Sequence, residues 1–211
     1  MVSVRGFFIT LFTPLAGRMG GVHPNVLTAW SLVSGLLAGV AFACAGLSRW
    51  AYVAAGVLVG LSGMFDSLDG IVARQFSRIS RAGDFFDHLA DRVIEVAILA
   101  GIACSPGANP TLGIAAIVLT LLHSYLGVQV EATFGVREYG GGGKAEQFVG
   151  LVIFAAVLAI VPQGSIGAGG VQLSLANVFL VILTAVTTAS FLHRLSRALT
   201  IARSDARGTD D

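Results

Sequence analysis

Charge is what this sequence has least of. Only 12% of its 211 residues are Asp, Glu, Lys or Arg, about half the share of a soluble domain. Together with 55% hydrophobic residues and a mean hydropathy of +0.83, that excludes a water-soluble globular domain. Cysteine is almost as scarce. Cys44 and Cys104 fall near the outer ends of their apolar runs, where buried thiols filling space are expected rather than a disulfide. No Cys/His cluster exists to hold a soft metal. The chain has no internal repeat, no low-complexity tract beyond Gly140 to Gly143, and no long polar segment. One domain, residues 1–211, is therefore expected.

What is present is a series of apolar runs, each near the length of about 20 residues that a spanning helix needs. Six spans are expected: Val26 to Ala45, Tyr52 to Val72, Phe85 to Ala103, Leu112 to Val130, Phe148 to Val161 and Leu173 to Leu192. This is an all-α integral membrane fold. In that arrangement Arg5, Arg18, Arg74, Arg78, Arg81, Arg137, Lys144, Arg194, Arg197, Arg203 and Arg207 fall on one side, and only Arg49 on the other. Arg92 lies within the third span. The positive-inside rule then places both termini and the 2–3 and 4–5 loops in the cytoplasm; a seventh span would scramble the asymmetry. Val2 to Leu15 is expected to lie along the cytoplasmic interface rather than to act as a signal peptide, with Phe7, Phe8, Leu11 and Phe12 toward the acyl chains and Pro14 kinking or ending it. Residues 1–20 form that interfacial segment, and residues 200–211 a mobile cytoplasmic tail.

Four aspartates lie where a membrane protein should not put them. Asp66 and Asp69 fall in the second span, and Asp87 and Asp91 in the third. Spacings of three and four put each pair on one helical face, and the stretch with Arg74, Arg78 and Arg81 between them is expected to be a cytoplasmic turn that makes the two helices antiparallel neighbours. Counting helical rise from Arg74 and Arg81 gives depths of about 8–12 Å and about 9–15 Å, so all four carboxylates reach a similar level near the cytoplasmic edge. Such a cluster needs protons or metal ions for compensation. Hard oxygen ligands favour Mg²⁺, Mn²⁺ or Ca²⁺, and two ions suit four carboxylates. Intramembrane acids alone fit a cation- or proton-coupled transporter equally well.

The spacing separates the two readings. Asp66, Asp69, Gly70, Ala73, Arg74, Gly83, Asp87 and Asp91 stand as D-x2-D-G-x2-A-R-x8-G-x3-D-x3-D. This resembles the signature of the CDP-alcohol phosphotransferase family, class I, with every fixed position and gap matched. The resemblance implies an enzyme that transfers a phosphate-linked alcohol from a CDP-linked lipid donor to a second alcohol, releasing CMP. It implies Asp66, Asp69, Asp87 and Asp91 as ligands of two Mg²⁺ or Mn²⁺ ions, with Asp91 also the base that deprotonates the acceptor hydroxyl. Asp69, Gly70, Ala73, Arg74 and Gly83 would meet the nucleotide. Upstream, Pro24, Asn25 and Thr28 resemble the family's P-N-x-x-T at the start of the first span; a simple helix start explains them equally well. Homodimers are common in the family, so a second copy and the bilayer are the expected partners, and nucleic acid is not.

Acceptor choice rests on less. Ser124, Tyr125, Glu131 and the run Gly143 to Glu146 resemble the branch that uses inositol phosphate, with a departure at Gln147 where that branch has arginine, and at Leu126 and Gln129. Inositol phosphate is expected slightly ahead of glycerol phosphate. A phosphorylated acceptor needs cations; Lys144, Arg194 and Arg197 are the candidates, although positive-inside anchoring explains them as well.

Overall fold

The computed structural model describes residues 4–135, 144–161, 165–168 and 171–208. Its helices are α1 (Val4–Gly17), α2 (Pro24–Ala43), α3 (Trp50–Gln75), α4 (Arg81–Ala103), α5 (Pro110–Phe134), α6 (Lys144–Ile160) and α7 (Leu175–Gly208). A 3₁₀ turn, Cys44–Gly46, follows α2. The only departure from helix and loop among the described residues is a hairpin of β1 (Ser165–Ala168) and β2 (Val171–Ser174), with Ser165 opposite Ser174. Leu173, expected to open the last span, therefore lies in a strand, and α7 begins at Leu175.

Local chemistry sets the helix starts. Pro24 and Pro110 occupy first-turn positions, where the missing N–H costs nothing. The side chains of His23 and Asn109 accept the backbone N–H of Asn25 and Thr111. Ser80 caps α4 through Gly83 N–H at 3.0 Å. Pro14 lies inside α1 without ending it. At the other end of the chain α7 continues to Gly208, so most of the segment placed in a tail is helical.

The helices neighbour one another in the order α7, α5, α4, α2, α3, α6, and α1 lies against α3 and α6. α2 is the central strut. It meets α4 backbone to backbone, since a Cβ on Gly101 would sit 2.1 Å from the carbonyl oxygen of Gly39. It meets α3 through a reciprocal pair in which Ser31 Oγ donates to Ser62 O at 2.9 Å and Ser62 Oγ to Ser31 O at 3.0 Å. Small residues and serines are what helices use to approach closely in lipid, where apolar burial gives no preference for protein over bilayer. The larger core, with Phe42, Tyr52, Val59, Ile98 and Leu158, fills one end of the bundle. A smaller one, with Ala16, Leu27, Leu68, Ile71 and Val72, ties α1 to α3.

Four segments among the described residues are long and apolar enough to cross a membrane: Pro24–Gly46, Trp50–Gln75, Pro110–Phe134 and Leu175–Arg203. Their outward faces carry exposed Trp30, Leu37, Val57, Ile114, Val118 and Ile182, and the protein is an integral membrane protein. α4 fails that test because it carries Asp84, Asp87, Asp91, Arg92 and Glu95, and α6 because it has 17 residues. Cys44 and Cys104 are exposed rather than buried. Each is the residue that caps its helix, where side chains leave the packed face.

Candidate active site

The site is built where α3 ends and α4 begins. Phe76 to Ser80 form the turn, so Arg74 belongs to the last turn of α3 and Arg81 is the first residue of α4. Ser77 is left-handed at φ 52°, and Arg78 N–H reaches back to Ala73 O at 2.8 Å, a closure that satisfies orphan carbonyls at a helix end. Beyond this tight turn α3 and α4 scarcely touch, because each packs along α2 instead. The sequence reading made them direct neighbours. Their separation leaves room between them for the acids.

Into that gap project Asp66 from α3 and Asp87 and Asp91 from α4. One carboxylate oxygen of each lies within 4.8 Å of the other two. Asp91 is buried and the other two half-buried. Three carboxylates at such distances are a natural seat for a divalent ion with oxygen ligands. Asp69 is not in this group. It is buried, and its Oδ2 accepts a hydrogen bond from Thr28 Oγ1 at 2.7 Å. α2 thus ties down one oxygen of the fourth acid. Asn25, on the same helix, reaches the start of α4: a Cβ on Gly83 would lie 3.2 Å from Asn25 Oδ1 and 3.1 Å from Ser80 Oγ. Asn25 and Thr28 thus each touch a residue of the signature, Gly83 and Asp69, while Pro24 starts the helix.

The nucleotide candidates surround this point. A Cβ on Gly70 would lie 3.4 Å from both Nη atoms of Arg74, so the exposed Arg74 guanidinium folds back over Gly70. Ala73 and Gly83 are half-buried. On the other flank an apolar groove of about 230 Å³ leads to Asp66, walled by Phe8 and Phe12 of α1, Gly63 and Met64 of α3, and Phe148 and Val152 of α6. Sequence alone did not reveal this groove, since no spacing rule brings residues 8, 64 and 148 together.

The basic residues behave differently from one another. Arg92, next to Asp91 in the chain, turns away from it, bonding Glu95 on its own helix and Ser124 on α5. Gln147 Nε2 donates to the other oxygen of Glu95 at 3.3 Å, so α4, α5 and α6 are joined by one polar chain. Arg194, half-buried on α7, donates from Nη1 to His123 O on α5 at 3.0 Å. Beside it His123 Nε2 is buried with no hydrogen-bond partner among the described residues. Arg197 is exposed one turn further along α7. Lys144 opens α6, and its side chain lies outside the described residues, as do Arg137 and Glu138.

Comparison with known proteins shows the family. A family model described as CDP-alcohol phosphatidyltransferase matches residues 21–190. The phosphatidylinositol phosphate synthase of Mycobacteroides abscessus is 28% identical over 90% of this chain and 85% of its own. That of Streptomyces avermitilis is 28% identical over 96% and 82%. A bifunctional IPC transferase and DIPP synthase of Archaeoglobus fulgidus is 29% identical over 69% of this chain, which spans only 30% of that protein's length. The crystal structure of Mycobacterium tuberculosis phosphatidylinositol phosphate synthase with CDP-DAG bound shares the fold, with a TM-score of 0.70, 22% identity, and 90% and 94% of the two chains covered. The same enzyme in complex with manganese and citrate gives a TM-score of 0.69 at 22% identity, over 89% and 88%. These relatives are synthases and transferases, and the transporter reading of the acids finds no support among them. The chain belongs to the CDP-alcohol phosphatidyltransferase family and is a transferase of a substituted phosphate group.

Proposed function

We propose that the protein moves a phosphatidyl-type group from a CDP-linked lipid to inositol phosphate, with glycerol phosphate the second choice, and releases CMP. The observation that carries this is the meeting of Asp66 with Asp87 and Asp91, where Asp66 also lines an apolar groove. A donor whose tails lie in the groove has its diphosphate at the carboxylates. Relatives named as phosphatidylinositol phosphate and archaetidylinositol phosphate synthases support the acceptor.

In this reading Asp66, Asp87 and Asp91, with Asp69 held by Thr28, would hold two Mg²⁺ or Mn²⁺ ions. When bound, those ions would neutralise the diphosphate and the departing CMP. Asp91 accepts the proton of the acceptor hydroxyl, whose oxygen bonds to the phosphorus bearing the lipid as the bond to the CMP oxygen breaks. Gly70, Ala73 and Gly83 admit the cytidine and its phosphates close to the backbone, and Arg74 faces the phosphates. Arg194 and Arg197, with Lys144, receive the acceptor's phosphate. The unpartnered His123 Nε2 beside Arg194 favours a polar occupant there.

Six spans, with α4 and α6 crossing in company, place both termini and the carboxylates at the cytoplasmic face. The basic residues support that orientation, and α1 lies in the interface. Pairing as a homodimer follows the family resemblance. The test is CMP release from a CDP-linked lipid by purified protein, with and without Mg²⁺ or Mn²⁺, across inositol phosphate, glycerol phosphate, inositol and serine. Release with serine alone would refute the acceptor.

A further inference from the structure

The turn between α3 and α4 carries an arginine that the signature leaves unassigned. Arg78 is exposed, and in water a lone arginine has no reason to hold one geometry. Here its Nη1 donates to Val22 O at 3.0 Å and its Nη2 to Gly20 O at 2.7 Å. Both acceptors lie in the loop joining α1 to α2. The guanidinium carbon also lies 5.7 Å from the centre of the Phe76 ring. The same loop also packs against that ring: a Cβ on Gly20 would sit 3.0 Å from it. The left-handed Ser77 reverses the chain so that residues 76 and 78 both face this loop.

What the loop controls is α1. A 14-residue helix is too short to be stable alone in water, so its position comes from what it docks on. Phe12, Met19, Val22 and Phe76 pack on the small core that joins it to α3. Its Phe8 and Phe12 form one wall of the groove leading to Asp66.

We propose that Arg78 is a positioning residue for the lipid donor: with Phe76 it clasps the α1–α2 loop and so holds α1 as a wall of the tail groove. This rests on the proposed function for the identity of the groove's occupant. Arg78 does not act on the nucleotide, because its two terminal nitrogens are committed to backbone carbonyls on the loop.

The test uses the full-length protein in nanodiscs as wild type, Arg78→Ala and Arg78→Lys. Hydrogen exchange of α1 amides reads the clasp without any substrate. Arg78→Ala should speed exchange across Phe8 to Ala16 by about threefold or more, with the helices of the bundle unchanged. Kinetics read the consequence. Two lost hydrogen bonds from a charged donor should raise KM for a long-chain CDP-lipid by about five- to tenfold. The KM for acceptor, and for a CDP-lipid with six-carbon chains too short to fill the groove, should stay within about twofold. Arg78→Lys, able to reach one carbonyl, should fall between. Unchanged α1 exchange would overturn the clasp. Equal KM losses for long and short donors, or a rise in acceptor KM, would overturn the role in holding tails. Wild-type protein that releases no CMP with any donor would refute both the enzymatic reading and the tail role, while the exchange result still decides the clasp.

Discussion

Gly127 has no side chain, and the guanidinium of Arg194 fills the space where one would be: a Cβ there would lie 2.3 Å from Arg194 Nη1. Gly127→Ala should therefore displace Arg194 while leaving the carboxylates untouched. If Arg194 receives the acceptor's phosphate, acceptor KM rises about tenfold or more, the scale of a charge-assisted hydrogen bond, with donor KM unchanged. Steady-state kinetics with each substrate varied separately will show it; an unchanged acceptor KM would return Arg194 to a structural role. At this scale much of the site was legible in the sequence. The interval of four between Asp87 and Asp91 marked one helical face, and Asp66 meets both of them. The placing of Asp69 was not legible. One of its oxygens is held by a partner 41 positions away, Thr28, and helical periodicity carries no information about such a partner. Arg92, next to Asp91 in the chain, is no counter-charge to it, since successive helical residues point about 100° apart; Glu95 and Ser124 hold it.

Between helices, α2 and α4 approach backbone to backbone. A side chain on Gly101 has no free space, since the clash is with backbone rather than with a flexible side chain. Gly101→Ala should destabilise the bundle by about 1–3 kcal/mol, the cost of overpacking, seen as a lower thermal midpoint in detergent. Gly150→Ala, with nothing within 4 Å of its added Cβ, is the matched control and should be neutral. An unchanged midpoint for Gly101→Ala would mean that α2 and α4 are not so closely packed. The helices themselves could be read from apolar runs and caps, most starting two to four residues before the expected spans. Their packing order could not. Sequence adjacency and a short turn suggested that α3 and α4 lie together, whereas the serine pair and the glycine contact draw each onto α2 instead. The space this opens is what lets three like charges converge.

For the molecule as a whole, the proposed topology has a direct chemical readout. Cys44 and Cys104 are exposed, and they cap α2 and α4 at the ends away from the α3–α4 turn. Six spans with cytoplasmic termini put both thiols at the outer face. A membrane-impermeant maleimide added to intact cells should label them without permeabilisation; labelling only after lysis would invert the orientation. The most direct test of the central claim is metal-dependent CMP release by wild type beside Asp91→Asn, with inositol phosphate as acceptor. Wild type should release CMP only with a divalent ion and acceptor together. The variant, folded by thermal shift, should be slower by about 10²–10⁴-fold, the usual contribution of a general base. Equal rates for the two proteins would contradict Asp91 as the base. No release from folded, metal-supplied wild type with any acceptor in the panel would contradict the proposed reaction.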